Sequence, residues 1–362
     1  MKYKHTFIFI LLFSIFVFAV FDRLKYFDQV GKDIYAYEKA VVDFLGGRNP
    51  YIWTVQSFSN PDDTGNHGYS YLPLGIYLFS FLYMIHLITD IEVQFLWKIP
   101  VLLADLGVGV LLVQYFVKKD IKIMLLSLII WLFNPYMVFR GSYTFIDPLA
   151  VFFMMLSLYY LEKDSVLSGT FITLGVAFKT FPILIFPLLL LKTPDRKKFL
   201  LSCSITGIAI AAPFLRSLDD FLTMLRGSVF IHSVRELQGR PFLFYISYYL
   251  HIEFFQVIPL KVYSLIASLG GWVVAVLLYL RNKNLNTYVL GVIPFLIFYL
   301  FTPVLNRTYL IWFIPIFCIA AYNPSLKSRN NLLFYIFIIS FYIFYSWYLI
   351  QWEDGFHVWR PI

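Results

Sequence analysis

The sequence is a succession of apolar runs separated by short polar connectors. The runs lie near residues 5–21, 71–88, 98–117, 123–139, 148–161, 166–178, 182–191, 198–213, 242–258, 262–280, 287–303, 309–322 and 332–350. A helix needs about 20 apolar residues to span a bilayer, and fewer inside a bundle. Lipid offers backbone groups no hydrogen-bond partners, so segments of this length cross as helices. Composition excludes a soluble alternative: the 362 residues are 60% hydrophobic and 14% charged, against about 25% charged in soluble domains. Run length predicts an all-α polytopic membrane protein of about 11–13 transmembrane helices, forming one integral-membrane domain over residues 1–362.

The first run, "HTFIFILLFSIFVFAVF", is followed by "FDRLKYF" and not by a small-x-small cleavage site. It reads as an uncleaved first membrane helix, and Lys2 and Lys4 put its N-terminus in the cytoplasm. The net charge of +8 points to cytoplasmic Lys/Arg anchoring in a membrane chain, not to nucleic acid. Cys203 and Cys318 both lie in apolar runs and read as small buried hydrophobes, with no disulfide or metal site implied.

Loop charge constrains topology further. If every run crossed, "KKDIK" at 118–122 and "RNKN" at 281–284 would lie outside, against the positive-inside rule. The conflict disappears if two runs do not fully cross. Run 71–88, with Pro73, Gly75 and His86, and run 242–258, with His251 and Glu253, are the candidates; shielded re-entrant segments are tolerated in membranes. Then "KKDIK", "EKDS", "KTPDRKK", "RNKN" and "NPSLKSRN" are all cytoplasmic. The outer face receives a first loop with juxtamembrane segments over 22–96, the turn "RGSYTFIDP", the break "FKTFP" and a basic loop over 214–241. An arrangement in which every run crosses is the alternative.

The candidate chemistry lies on that outer face. In "KDIYAYEKAVVDFLGGRNPY", residues 32–51, Ile34, Tyr37, Val41 and Phe44 recur at helical spacing. This predicts an amphipathic helix in the interface, ended by Gly46-Gly47 and turned by Asn49-Pro50. Asp33 at its start fits an N-cap and a catalytic base equally, and the two roles are compatible. Asp147, before Pro148, reads as a helix cap or a site residue. Lys179, well inside "GVAFKTFPILIFPLLLL", costs about 2.5–3.5 kcal/mol on insertion scales. With Pro182 following, it predicts a helix–break–helix hairpin with Lys179 near the tip. It is either a snorkelling lysine or a cation placed for an anionic ligand. Arg216, Arg226, His232, Arg235 and Arg240 cluster in the basic loop, where Arg forks suit phosphate oxygens, in a specific site or on lipid headgroups. Asp105 in "LLADLGVG" reads as half of a structural pair within the bundle, and Arg307 stands at an outer helix end, where it closes the site. There is no Walker-type loop, HExxH, CxxC or nucleophile elbow, and no Asp-x-Asp beside Asp33, so nothing argues strongly for a metal or cofactor.

"KDIYAYEKAVVDFLGGRNPY…YSYLPLGIYL" resembles the first extracytoplasmic loop of membrane glycosyltransferases of the GT-C class. It is most similar to the polyprenol-phosphate-mannose-dependent branch, which includes prokaryotic mannosyltransferases and, more distantly, the GPI-anchor mannosyltransferase. "LFNPYMVFRGSYTFIDPLAVFF", "GVAFKTFPILIFPLLLL", "FIHSVRELQGRPF" and "NRTYLIWFIPI" extend the similarity over most of the chain in order. The resemblance implies a GT-C-like bundle that transfers a sugar, mannose at the family level, from a polyprenyl-phosphate donor to a hydroxyl of a glycolipid or glycan acceptor. It implies Asp33 as the base, and Asp147 and Lys179 facing one outer cavity. Gly31 stands where metal-linked relatives carry an earlier acid, so no metal is expected.

Within that mechanism, inversion follows from a single displacement. Lys179, with Arg235 or Arg240, stabilises charge on the phosphate, and Tyr37 lines the sugar or lipid groove. Membrane lipids are the other partners, and the plasma membrane of a prokaryote is the expected location. A transporter or flippase for a lipid-linked anion is the alternative; it predicts inverted repeats, which the sequence does not display.

Overall fold

The computed structural model describes residues 2–29, 34–59, 68–134, 138, 146–233, 238–239, 251, 258–305, 307–322, 330–333 and 335–336. Its helices are α1 (Lys2–Leu24), α2 (Ile34–Leu45), α3 (Tyr51–Ser59), α4 (Leu74–Thr89), α5 (Val93–Phe116), α6 (Ile121–Leu132), α7 (Asp147–Tyr160) and α8 (Ser165–Phe178). They continue with α9 (Phe186–Lys192), α10 (Arg196–Ala211), α11 (Leu218–Ser228), α12 (Leu260–Leu265), α13 (Gly271–Arg281), α14 (Thr287–Phe301) and α15 (Ile314–Ala320). Thr6–Leu24, Val93–Phe116, Arg196–Phe214 and Leu260–Arg281 are long and apolar enough to cross a membrane. This is an all-α membrane protein. Among the described residues the extended pairing is one short parallel contact, β1 (Gln238–Gly239) with β2 (Val304–Leu305).

Local chemistry sets the helix ends. Asp120, Asp164 and Asp195 precede α6, α8 and α10, and each carboxylate accepts backbone N–H bonds from the first turn. The helix expected over the first polar passage is α2: Ile34, Tyr37 and Val41 are buried. It stops where Gly47 takes a left-handed φ of 73°. The basic loop over 214–241 contains a helix, α11, that charge counting obscured. Ser217 caps it by accepting from Asp220 N, Asp219 and Asp220 occupy its first turn and Arg226 its last, each on the side its macrodipole favours.

Packing between the central helices uses small residues, as expected where lipid gives no hydrophobic drive to helix association. Ser157 Oγ donates to Ser168 O at 2.9 Å, and Ser168 Oγ donates to Ser157 O at 3.0 Å, joining α7 to α8. A side chain at Gly169 would lie 2.5 Å from Phe199 O of α10, so α8 and α10 approach there only because the residue is glycine.

The bundle has two chemically different ends. At one, the connectors after α5, α7, α9 and α13 gather. Ser165 Oγ accepts from Thr193 Oγ1 at 2.9 Å and from Asp195 N at 3.1 Å. Lys192 Nζ donates to Lys283 O and Leu285 O at 3.0 and 2.8 Å, and the Tyr115 and Tyr288 rings meet at 5.4 Å. The basic connectors "KKDIK", "EKDS", "KTPDRKK" and "RNKN" thus share one end. The opposite end holds α2, α3, α11 and the segment 68–73. Asn49 Nδ2 donates to Asp220 O at 3.1 Å, Tyr51 OH to Tyr71 O at 2.7 Å and Lys98 Nζ to Phe27 O and Gln29 O. Both α4 and α5 begin at this second end: Tyr37 touches Phe79, and Phe79 touches Trp97. So α4 does not carry the chain to the basic end.

Candidate active site

The chain breaks its helix at Lys179. Helix α8 ends at Phe178, Lys179 is extended with φ −155° and ψ 138°, and Phe181–Ile185 makes a 3-10 turn before α9 returns toward the basic end. Pro182 explains the stop, since its ring cannot continue the helix behind it. Lys179 is therefore at the tip of a hairpin. Its neighbour across the tip is Asp147, the first residue of α7; the capping position is Ile146, which makes no side-chain bond.

These two residues form one buried ion pair. Lys179 Nζ donates to both Asp147 oxygens at 2.8 Å. The lysine side chain keeps 9% exposure and the carboxylate 1%, so the lysine is the more exposed member of the pair and the carboxylate the deeper one. The backbone favours both charges, because the anion sits at the N-terminus of α7 and the cation at the C-terminus of α8. Trp312 Nε1 donates to Asp147 Oδ1 at 2.6 Å. The Trp312 ring is itself clamped, stacked on Phe181 at 4.2 Å and on Tyr309 at 4.0 Å. Tyr71, Tyr309 and Trp312 surround the ammonium with ring centroids at 5.1, 5.7 and 5.6 Å, within range of cation–π attraction.

Around this centre the elements interlock. Tyr37 is 2% exposed and packs behind Tyr71 at 6.4 Å, against Tyr69 at 5.7 Å and Phe79 at 5.4 Å. Thus Tyr71, not Tyr37, brings this aromatic layer to the ammonium. Burial pushes the Tyr51 and Tyr69 hydroxyls well above their usual range. They stay neutral donors, to Tyr71 O and Leu72 O. His232, after α11, donates from Nε2 to Ser70 O at 3.1 Å and fastens the basic loop to the same segment. The β1–β2 contact fastens it again, beside the 3-10 turn Arg307–Ile311 that carries Tyr309.

Of the residues singled out in the sequence, Tyr37, Asp147, Lys179 and His232 lie in the described structure at this end. Asp33, Arg235 and Arg240 lie outside the described residues, as does the side chain of Arg307. Among the described residues no three His, Cys, Asp or Glu side chains gather as metal ligands. Asp105 has the structural partner expected of it, Arg23 Nε at 2.5 Å. Sequence reasoning missed Tyr71, Tyr309, Trp312 and Phe181 as the cage. The aromatic density of "YSYLP" and "NRTYLIWF" was visible, but a chain this rich in rings gives no sign of which ones meet.

What this arrangement offers chemically is a nearly dry, preorganised cation at the end of the bundle opposite the basic connectors. GPI mannosyltransferase 1 of Candida albicans (strain SC5314 / ATCC MYA-2876) is 23% identical over 369 aligned residues, covering 92% of this chain and 84% of that protein. No solved structure matches. The model of glycosyltransferase family 87 matches residues 69–303. That segment includes both members of the ion pair, Tyr71 of the cage and the tethering His232. It makes the protein an enzyme of sugar transfer, which sets the transporter alternative aside. Matched over well more than half its length, with its buried cation inside the matched region, the chain belongs to glycosyltransferase family 87.

Proposed function

We propose that the protein is an inverting mannosyltransferase that takes its sugar from a polyprenyl-phosphate donor and places it on a hydroxyl of a glycolipid or glycan at the extracytoplasmic face. The observation that carries this reading is the Lys179–Asp147 pair at the hairpin tip, with the lysine its more exposed member. An ammonium in a dry site is suited to a phosphate oxygen. Its depth favours a donor that arrives through the bilayer. Helices α7 and α8 have 14 residues each and rise about 21 Å from the basic end, short of the roughly 30 Å hydrocarbon core. The basic connectors at the other end favour a cytoplasmic assignment there, leaving the pair to open outward. The mannosyl assignment draws on the relative's printed name.

In this mechanism the acceptor oxygen attacks the anomeric carbon as Asp33 takes its proton. The bond from the anomeric carbon to the phosphate oxygen breaks, and the electron pair leaves on the lipid phosphate. One displacement inverts the centre. Lys179 stabilises the leaving phosphate, and no metal takes part. Asp33 immediately precedes α2. That helix packs through Tyr37 on Tyr71, whose ring lies 5.1 Å from the ammonium. Arg235, Arg240 and Arg307 are proposed to complete the phosphate contacts.

The test is transfer by purified protein in liposomes from a labelled polyprenyl-phosphoryl mannose. Asp33→Asn keeps side-chain size and capping ability, so protein levels should hold while turnover falls by about 100-fold or more. Wild-type transfer should survive a chelator. Near-normal turnover in Asp33→Asn removes Asp33 as the base; transfer that stops in chelator and returns with magnesium or manganese removes the metal-free mechanism.

A further inference from the structure

The ion pair raises a question about the proposed donor reading, on which this inference rests. The cation meant for the phosphate is already engaged. Lys179 gives bonds to both oxygens of Asp147 at 2.8 Å, and an ammonium has three N–H donors in all. An anion that comes to the pair meets the lysine first, whose side chain keeps 9% exposure against 1% for the carboxylate. The carboxylate is fixed in turn. Trp312 donates to it at 2.6 Å, and the indole is locked between Phe181 and Tyr309. Any phosphate on Lys179 therefore competes with a carboxylate that stays in place.

The reaction changes the charge of that phosphate. A polyprenyl-phosphoryl sugar is a phosphodiester and carries one negative charge. The leaving lipid phosphate is a monoester, with roughly −1.5 to −2 at pH 7. Charges attract strongly in a dry site. An unopposed Lys179 would hold the product more tightly than the donor, and turnover would stall on release. We propose that Asp147 is the residue that ejects the product: its carboxylate reclaims the ammonium from the leaving lipid phosphate, and Trp312, by donating to the same carboxylate, tempers that pull. No covalent bond changes at Asp147, and the acceptor proton remains on Asp33.

The assay is binding of farnesyl phosphate and of farnesyl-phosphoryl mannose to the full-length protein in nanodiscs, with steady-state and single-turnover transfer alongside. Asp147→Asn keeps an oxygen for Trp312 and removes the competing charge. Farnesyl phosphate should bind about ten-fold more tightly or better, the scale of one charge-assisted hydrogen bond. KM should fall with kcat, and a burst of product should precede a slow steady state. Trp312→Phe keeps the ion pair and the ring stack but frees one carboxylate lone pair for Lys179. It should weaken farnesyl phosphate binding by about two- to five-fold, a fraction of one charge-assisted hydrogen bond. Lys179→Ala should lose both ligands.

Unchanged or weaker farnesyl phosphate binding by a folded Asp147→Asn overturns the proposal and leaves the donor reading standing. If that variant does not fold, Trp312→Phe decides, and unchanged or tighter binding there overturns it. Full binding of both ligands by Lys179→Ala overturns the donor reading together with it.

Discussion

The Arg23–Asp105 pair allows a quantitative test of the bundle. Arg23 Nε meets Asp105 Oδ2 at 2.5 Å, with side-chain exposures of 3% and 4%. Among the described residues the pair is only partly satisfied: Arg23 Nη1 reaches Ala19 O at 2.9 Å, but Arg23 Nη2 and Asp105 Oδ1 are buried with no hydrogen-bond partner there. Removing one member of a buried pair costs about 3–5 kcal/mol, because the other charge is left uncompensated. Asp105→Leu belongs at the low end of that range. Arg23 is one residue from the end of α1, so its long side chain has a route toward water. Arg23→Met belongs at the high end, since Asp105 lies midway along α5 and has no such route. The double variant removes both charges and the two unsatisfied atoms, each of which costs about 1–3 kcal/mol. It should fall within about 1 kcal/mol of wild type, or above it. The assay is equilibrium unfolding in mixed micelles titrated with a denaturing detergent, run as a double-mutant cycle. A coupling of about 3 kcal/mol or more is expected. If the two single losses add to the double loss within about 0.5 kcal/mol, the charges do not interact in the folded protein.

Two further outcomes follow from the packing and the charge partition. Gly169→Ala should cost about 1–3 kcal/mol by pushing α8 off α10; Gly207→Ala, whose added Cβ would meet only Thr173 Cγ2 at 3.9 Å, should cost far less, and equal losses would refute the close-approach argument. In intact cells expressing a chain without Cys203 and Cys318, an impermeant thiol reagent should label a cysteine at position 62 and spare one at 119, and the reverse pattern would invert the proposed orientation.

Much of this protein was legible in its sequence because lipid leaves few options. Apolar run length and the need to satisfy the backbone internally are enough for an all-α membrane fold. Helix ends were legible where one residue decides them: Gly47 takes a positive φ that few side chains tolerate, and Pro182 follows the stop at Lys179. Helix α11 was not legible, because its charges read as a basic loop until the cap at Ser217 and the contact with Asn49 were seen. The ordered motifs pointed to a membrane glycosyltransferase, and the family match bears that out.

What the sequence by itself determined is therefore the medium, the helices and the cost of each charge inside them. Lys179, Asp147 and Asp105 were each conspicuous because a buried charge is expensive wherever it occurs. Which charge neutralises which was decided only in three dimensions. Asp147 and Lys179 are 32 positions apart and Asp147 and Trp312 are 165 apart; their meeting depends on how α7, the α8–α9 hairpin and the turn before α15 pack. Pairing is a property of distance in the fold, and a one-dimensional pattern carries the penalty of a charge without the identity of the group that relieves it.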